Sequence, residues 1–282
     1  MLPGLGAQVR WHVRRRGHAA AHARAVGRER PAERGGLRPL RLRGDAGVSV
    51  AEGRAGQRRK PRVRIVQAAP AHAAALEELQ RVCFPNLGAQ ELMTRENFLE
   101  HQERFPEGEF VALAADAPDG TPLAEEAVVG LGSGFLVDFD VQRPEHVFHD
   151  IIAGGTYANH DPDGAWYYGA DISVHPDYRG AGLGRGLYDA RKALVRRLGR
   201  KGIVAGGQLP GYPRYRDRLT VAEYVEKVVA GEITDPTLTF QLANGFEVYG
   251  LIHGYIEDDY TDDWASFIVW FNPDLHFPAF GE

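Results

Sequence analysis

The chain is poor in sulfur. Its 282 residues include one cysteine, Cys83, and two methionines. An internal disulfide and a cysteine-rich metal centre are therefore excluded, and a lone thiol fits a reducing compartment, here expected to be the cytoplasm. No apolar run approaches the roughly 20 residues that cross a bilayer as a helix, so no membrane partner is expected. Serine is missing before Ser49, whereas a mitochondrial leader would be serine-rich. Arg14-Arg15-Arg16 is followed by Gly-His-Ala-Ala-Ala-His, which lacks the apolar core of a secretory signal.

The two charge signs are segregated. Residues 1–60 carry 15 basic and 4 acidic side chains, and residues 61–282 carry 18 and 34. The first sixty residues are rich in Arg, Ala and Gly, with few large apolar side chains and no sustained period. Such a segment buries too little apolar surface to offset its ordering entropy, so residues 1–60 read as a disordered arm. Two other readings stand beside this one. Either the start is set too far upstream, the native chain beginning near Val48, Val50 or Val63, or the arginines touch nucleic acid or anionic surfaces. The acidic remainder suits amine or other cationic substrates and argues against nucleic acid as its partner.

From Arg62 the pattern becomes that of a folded domain, residues 62–282. Arg62 to Val66 alternates as a strand. Leu76, Leu79 and Cys83 share one face of a helix over 71–83, and Thr94 is placed to cap a second helix ending near Arg104. Phe110–Ala115 and Val128–Val137 read as a hairpin around Asp119-Gly120. Gly130, Gly132 and Gly134 line one face of its second strand, which predicts a bulge or a close neighbour. Residues 138–164 are long for a connection and rich in His and Asp, which points to a functional loop. A strand over Trp166–Val174 leads into Val-His-Pro-Asp-Tyr-Arg-Gly-Ala-Gly-Leu-Gly-Arg-Gly, ending at Gly186, and a helix over Leu183–Leu198 leads out. A strand at 203–207, an insertion at 208–219, a helix opened by the capping box Thr220–Glu223, a short helix at 237–243 and two strands (246–255 and 266–271) complete the order.

A glycine-rich turn opening a helix presents unpaired N–H groups to an anion, reinforced by the helix dipole. The alternating glycines 180, 182, 184 and 186 do not fit G-x-G-x-x-G, because the sixth position from Gly182 is Leu187. The Gly-Lys-Ser/Thr ending of a P-loop is also missing. What fits is Arg179-Gly-Ala-Gly182-Leu-Gly184 after Val-His-Pro-Asp-Tyr, which resembles the acyl-CoA-binding motif of the GNAT acetyltransferase superfamily over roughly Arg62–Phe271. Three stretches (Tyr168–Pro176, Val204-Ala-Gly-Gly-Gln-Leu-Pro-Gly-Tyr, and Leu238-Thr-Phe-Gln-Leu-Ala-Asn-Gly-Phe) are similar to the acetyltransferase portion of proteins fused to nitrilase-type carbon–nitrogen hydrolases. The sequence stops at Glu282 with no hydrolase portion, so hydrolase activity is not implied.

The resemblance implies an α/β (α+β) fold, a mixed central β-sheet flanked by helices. It also implies acetyl transfer from acetyl-CoA to a small-molecule or peptide amine, with a homodimer as a candidate assembly. The backbone of Gly180, Ala181, Gly182, Leu183, Gly184 and Arg185, with Arg179, would bind the pyrophosphate. The main chain of Ile172, Ser173 and Val174 would pair with the pantetheine arm, and an N–H near Val174 would polarise the thioester carbonyl. Asp171 is the first candidate base; His160 with Asp161, and His149, form the second set. The usual leaving-group acid, a tyrosine, is replaced by Gln241, leaving Tyr212, Tyr215, Tyr224 or solvent. Two rival readings stand: loss of most or all chemistry, leaving a CoA-binding regulatory module, and acetyl transfer to a protein or peptide amine. No metal is expected, since the acidic turn 257–263 lacks calcium-loop spacing.

Overall fold

The structure is a computed structural model that describes residues 60–258 and 260–277; Lys60 apart, the expected arm over 1–60 lies outside the described residues. Seven strands form one sheet in the order β1-β2-β3-β4-β5-β7-β6. They are β1 (Val63–Gln67), β2 (Phe110–Asp116), β3 (Pro122–Val137), β4 (Trp166–Val174), β5 (Gly202–Gln208), β6 (Glu247–His253) and β7 (Trp264–Phe271). The helices are α1 (Ala73–Cys83), α2 (Arg95–Arg104), α3 (Phe148–Ile151), α4 (Leu183–Arg197), α5 (Val221–Val229) and α6 (Leu238–Ala243). Every strand pair is antiparallel except β4–β5, so the sheet is mixed, as the resemblance implies. Among the described residues no helix is long and apolar enough to cross a membrane.

Local chemistry sets the helix ends. Thr94 accepts from the Asn97 N–H and opens α2. Thr220 Oγ1 accepts from the Glu223 N–H while Glu223 Oε2 accepts from the Thr220 N–H, the reciprocal box read in the sequence. Such a cap contributes about 1 kcal/mol. Helix α1 begins two residues later than the pattern predicts, because Pro70–His72 winds as a 3-10 turn.

The helices cover both faces of the sheet, which is why its central strands are apolar on both sides. Leu187 of α4 packs where a Cβ at Gly130 would lie. On the opposite face, Gln80 of α1 donates to Asp171 of β4. The expected bulge exists, and its extra residue falls on β4. Ser133 pairs with Asp171 and Gly134 with Gly169, leaving Ala170 unmatched.

The loop 138–164 is tied down by a buried polar cluster. His101 Nδ1 lies 2.7 Å from Glu109 Oε1 and its Nε2 lies 2.6 Å from the Gly155 carbonyl. Ser133 Oγ and Gln102 Nε2 donate to the same carboxylate at 2.8 and 2.7 Å. Tyr157 stacks on His101 with ring centroids 3.6 Å apart, and its hydroxyl meets Ser133 Oγ at 2.7 Å. That anchoring offsets the strain of Ala153 and Tyr157 at φ 51° and 54°, a backbone region costly for side chains with a Cβ.

Candidate active site

Strands β4 and β5 share a register only at Trp166–Gly202, Tyr167–Ile203 and Tyr168–Val204. On its other edge β4 stays paired with β3 as far as Val174. From Gly169 onward the β4 edge facing β5 therefore has no strand partner among the described residues. The bulge lies at this point of divergence, and bulges commonly re-aim side chains beside active sites. A cavity of about 150 Å³ fills the gap. Its floor is Gly169–Ile172 and Ala205–Gln208; one wall carries Gln80, Glu91, Met93 and Phe148, and the other Tyr188, Arg191 and Gln241.

At the open end of β4 the chain passes through Val174 into the glycine turn. Gly180 and Gly182 take φ 79° and 87°, and nothing lies within 4 Å of a Cβ built on either. Gly182 is the N-cap of α4 and has no side-chain cap. The first helical bond is donated by Gly186 to the Gly182 carbonyl. The backbone amides of Gly180–Arg185 have no protein acceptor among the described residues, as the first amides of a helix do not. Gly184 serves another purpose: a Cβ there would lie 2.7 Å from Phe240 Cζ, so it lets α6 close on α4 and brings Gln241 to the cavity. Arg179 is exposed, and its Nε donates to the Val174 carbonyl at 3.1 Å.

Asp171 is 8% exposed and lines the cavity. Burial pushes its carboxyl up to about 6, against the attraction of Arg191 and hydrogen bonds from Gln80 and Ser173. Glu91, on the same wall as Gln80, is also raised, first by burial. Ile172 lines the same floor, while Ser173 is buried and donates weakly to Asp171 at 3.4 Å. Cys83, half-buried at the end of α1, is raised to about 11 by burial and then by Asp171.

His160 does not join this group. Its Nδ1 accepts from the Leu136 N–H at 3.2 Å and its ring stacks on Phe105 at 4.6 Å, so its contacts are those of a loop anchor. His149 is exposed and is not part of the cavity lining. The three tyrosines expected as acids also lie elsewhere. Tyr212 and Tyr215 pack on Tyr224, whose hydroxyl donates to Asp235 at 2.8 Å, and together they brace the 208–219 insertion. The tyrosines that do line the cavity are Tyr188 and Tyr255. Tyr188 is buried beside Gln241, and burial holds its phenol up to about 12. The acidic turn is mostly engaged internally: Asp258 takes Thr261 and Gln208, and Asp262 pairs with Arg216 at 2.9 Å. Among the described residues no group of three or more His, Cys, Asp and Glu is arranged to hold a metal ion.

Gln80, Glu91, Tyr188, Arg191 and Tyr255 are the wall residues that sequence reasoning missed. Arg191 had a signal, since it falls on the apolar stripe of α4 between Leu187 and Leu194. Tyr188 lies one turn before it on the same helix, whereas Gln80, Glu91 and Tyr255 are distant from α4 in sequence and meet it only in the fold.

Residues 73–211 match the family model described as Acetyltransferase (GNAT) family. A Bacillus subtilis (strain 168) protein described as "Uncharacterized N-acetyltransferase YkwB" is 32% identical over 200 residues, covering 70% of this chain and 83% of the relative. "Probable hydrolase YhcX" of the same organism is 39% identical over 198 residues, 70% of this chain. The chain spans only 36% of that protein's length. A solved structure described as "GphF GNAT-like decarboxylase in complex with isobutyryl-CoA" is 27% identical, with a TM-score of 0.59, over 74% of this chain and 99% of its own.

Proposed function

The chain belongs to the GNAT acetyltransferase family, and from that premise we propose that it moves the acetyl group of acetyl-CoA to a small amine received in the β4–β5 cavity. One observation carries this reading: an unpaired β4 edge, six acceptor-free amides at its end and a buried carboxylate in the gap beside it. The amides of Gly180–Arg185 would take the pyrophosphate, with Arg179 flanking them, and the main chain of Ile172–Val174 would pair with the amide-bearing pantetheine arm. The amine nitrogen attacks the thioester carbonyl carbon, and the carbon–sulfur bond breaks. The proton lost by the amine passes to the Asp171 carboxylate, directly or through water. With a carboxyl near 6, Asp171 is ionised at neutral pH yet basic enough to accept it. The departing thiolate takes a proton from Tyr188, the cavity phenol beside Gln241. Asp171 and Glu91 on the α1 side of the cavity support a cationic acceptor, and the small volume favours a free amine over a protein terminus.

We further propose that the chain corresponds to the acetyltransferase portion of longer, hydrolase-fused relatives, supported by its 39% identity to part of YhcX. A cytoplasmic location is supported by the single cysteine, and a homodimer stays part of the proposal. The test is free thiol release from acetyl-CoA across a panel of amines, with mass analysis of the products. Tight CoA binding without thiol release for any amine would establish the regulatory-module rival instead.

A second reading, loss of carbon dioxide from a carboxylated acyl-CoA, is favoured by the 27% identity to the GNAT-like decarboxylase. In that case the bond to the carboxylate breaks and the electron pair left on the α-carbon takes a proton. Carbon dioxide release from malonyl-CoA without any amine separates the two.

A further inference from the structure

Arg191 is 2% exposed, in the middle of α4, and makes no ion pair among the described residues. Its Nη2 donates to the Ser133 carbonyl at 2.6 Å, its guanidinium lies 5.7 Å from the centre of the Tyr167 ring, and its Nε has no partner. The strands make room for it. A Cβ at Gly132 would lie 3.2 Å from Nε, and one at Gly169 would lie 3.4 Å from Nη1. Gln241 Oε1, on the same wall of the cavity, is likewise buried without a partner.

Burying a guanidinium without a counter-ion is costly, and proteins seldom do it unless a carboxylate or phosphate completes the site. The planar fork of arginine suits a carboxylate in particular. Coenzyme phosphates are accounted for at the glycine turn, nine residues and about 13 Å of helix rise from Arg191. A cavity of about 150 Å³ has room for a carboxylate on a short carbon chain. Asp171 does not fill the role: it attracts Arg191 without touching it, and lies on the α1 side of the sheet.

We propose that the substrate bound in this cavity bears a carboxylate and that Arg191 receives it. This rests on the cavity being the substrate site of an acyl-CoA enzyme. Two sources share the chemistry: an acyl donor that is the half-thioester of a dicarboxylic acid, or an acceptor amine that is an amino acid.

The experiment uses the purified chain in two arms. In the first, malonyl-CoA, acetyl-CoA and CoA are titrated calorimetrically. In the second, amino acids are compared with their carboxamides as acceptors at saturating acetyl-CoA. One arm is expected to favour the carboxylate by at least tenfold, and Arg191→Gln is expected to abolish that preference. Arg191→Lys, which keeps the charge and loses the fork, is expected to fall between. The wild-type comparison needs no variant to fold: absence of a carboxylate preference in both arms overturns the proposal, as does a preference that persists in Arg191→Gln. Failure of CoA itself to bind would instead overturn the acyl-CoA reading.

Discussion

Replacing Asp171 with asparagine sets stability against activity. The carboxyl is pushed up to about 6 from an ordinary 3.8, first by burial. Because the folded value lies above the unfolded one, the protonated form favours the fold. That contribution is fully present below about pH 4 and is lost as pH rises through 6. At about 1.4 kcal/mol per pH unit, the gap corresponds to about 3 kcal/mol of destabilisation above pH 7. Asp171→Asn mimics the neutral acid and still offers an oxygen to Gln80. Urea denaturation of both proteins between pH 4 and 8 should give equal stabilities near pH 4. The difference should open through pH 6 and reach a plateau of about 3 kcal/mol in favour of the variant, which thermal unfolding would read as about 6–12 °C in Tm. Turnover should fall about 100- to 10,000-fold, the usual range for a lost general base. A stability difference independent of pH, a variant less stable at pH 8, or unchanged turnover would refute the reasoning.

Other consequences follow from the site. Alanine at Gly182 costs about 1–2 kcal/mol through its left-handed backbone without a clash, and should weaken CoA binding at least tenfold by titration. Alanine at Gly184 should show first as a lower melting temperature, partly restored by Phe240→Leu. Tyr188→Phe should lower kcat with acetyl-CoA at least tenfold while KM moves less than threefold; an unchanged kcat would assign the proton to solvent. His101→Ala removes the buried ring that joins Glu109 to the Gly155 carbonyl, leaving both groups short of a partner, and should cost about 2–5 kcal/mol in thermal or urea denaturation, whereas a loss under about 1 kcal/mol would contradict the buried contact.

Much of the fold was legible because its signals are local. The capping residues Thr94 and Thr220, the turn at 117–121 and the apolar stripe of α4 each need only a few neighbouring side chains. The strand over Trp166–Val174 agrees to the residue, since nearly every one of its positions is apolar or small. The boundaries that moved, such as the start of β3 at Pro122 rather than Val128, are set by pairing with β2, an interaction invisible in one segment.

The site divides in the same way. Gly180 and Gly182 and the helix they open follow from sequence, because left-handed backbone and unpaired amides are properties of a short stretch. The partners of Asp171 do not. Gln80 is 91 residues away, and although the apolar stripe of α4 marks Arg191 as inward-facing, what it faces is not written in the helix. His160, an eligible base by residue type, is spent on Leu136. By itself, then, the sequence determined the glycine turn and the helix it opens, the place where we propose an acyl-CoA is held. Which side chains line the gap beside it and what charge they carry was decided only by the divergence of β4 from β5, because burial and proximity, which set the protonation of Asp171 and the surroundings of Arg191, exist only once the strands are assembled.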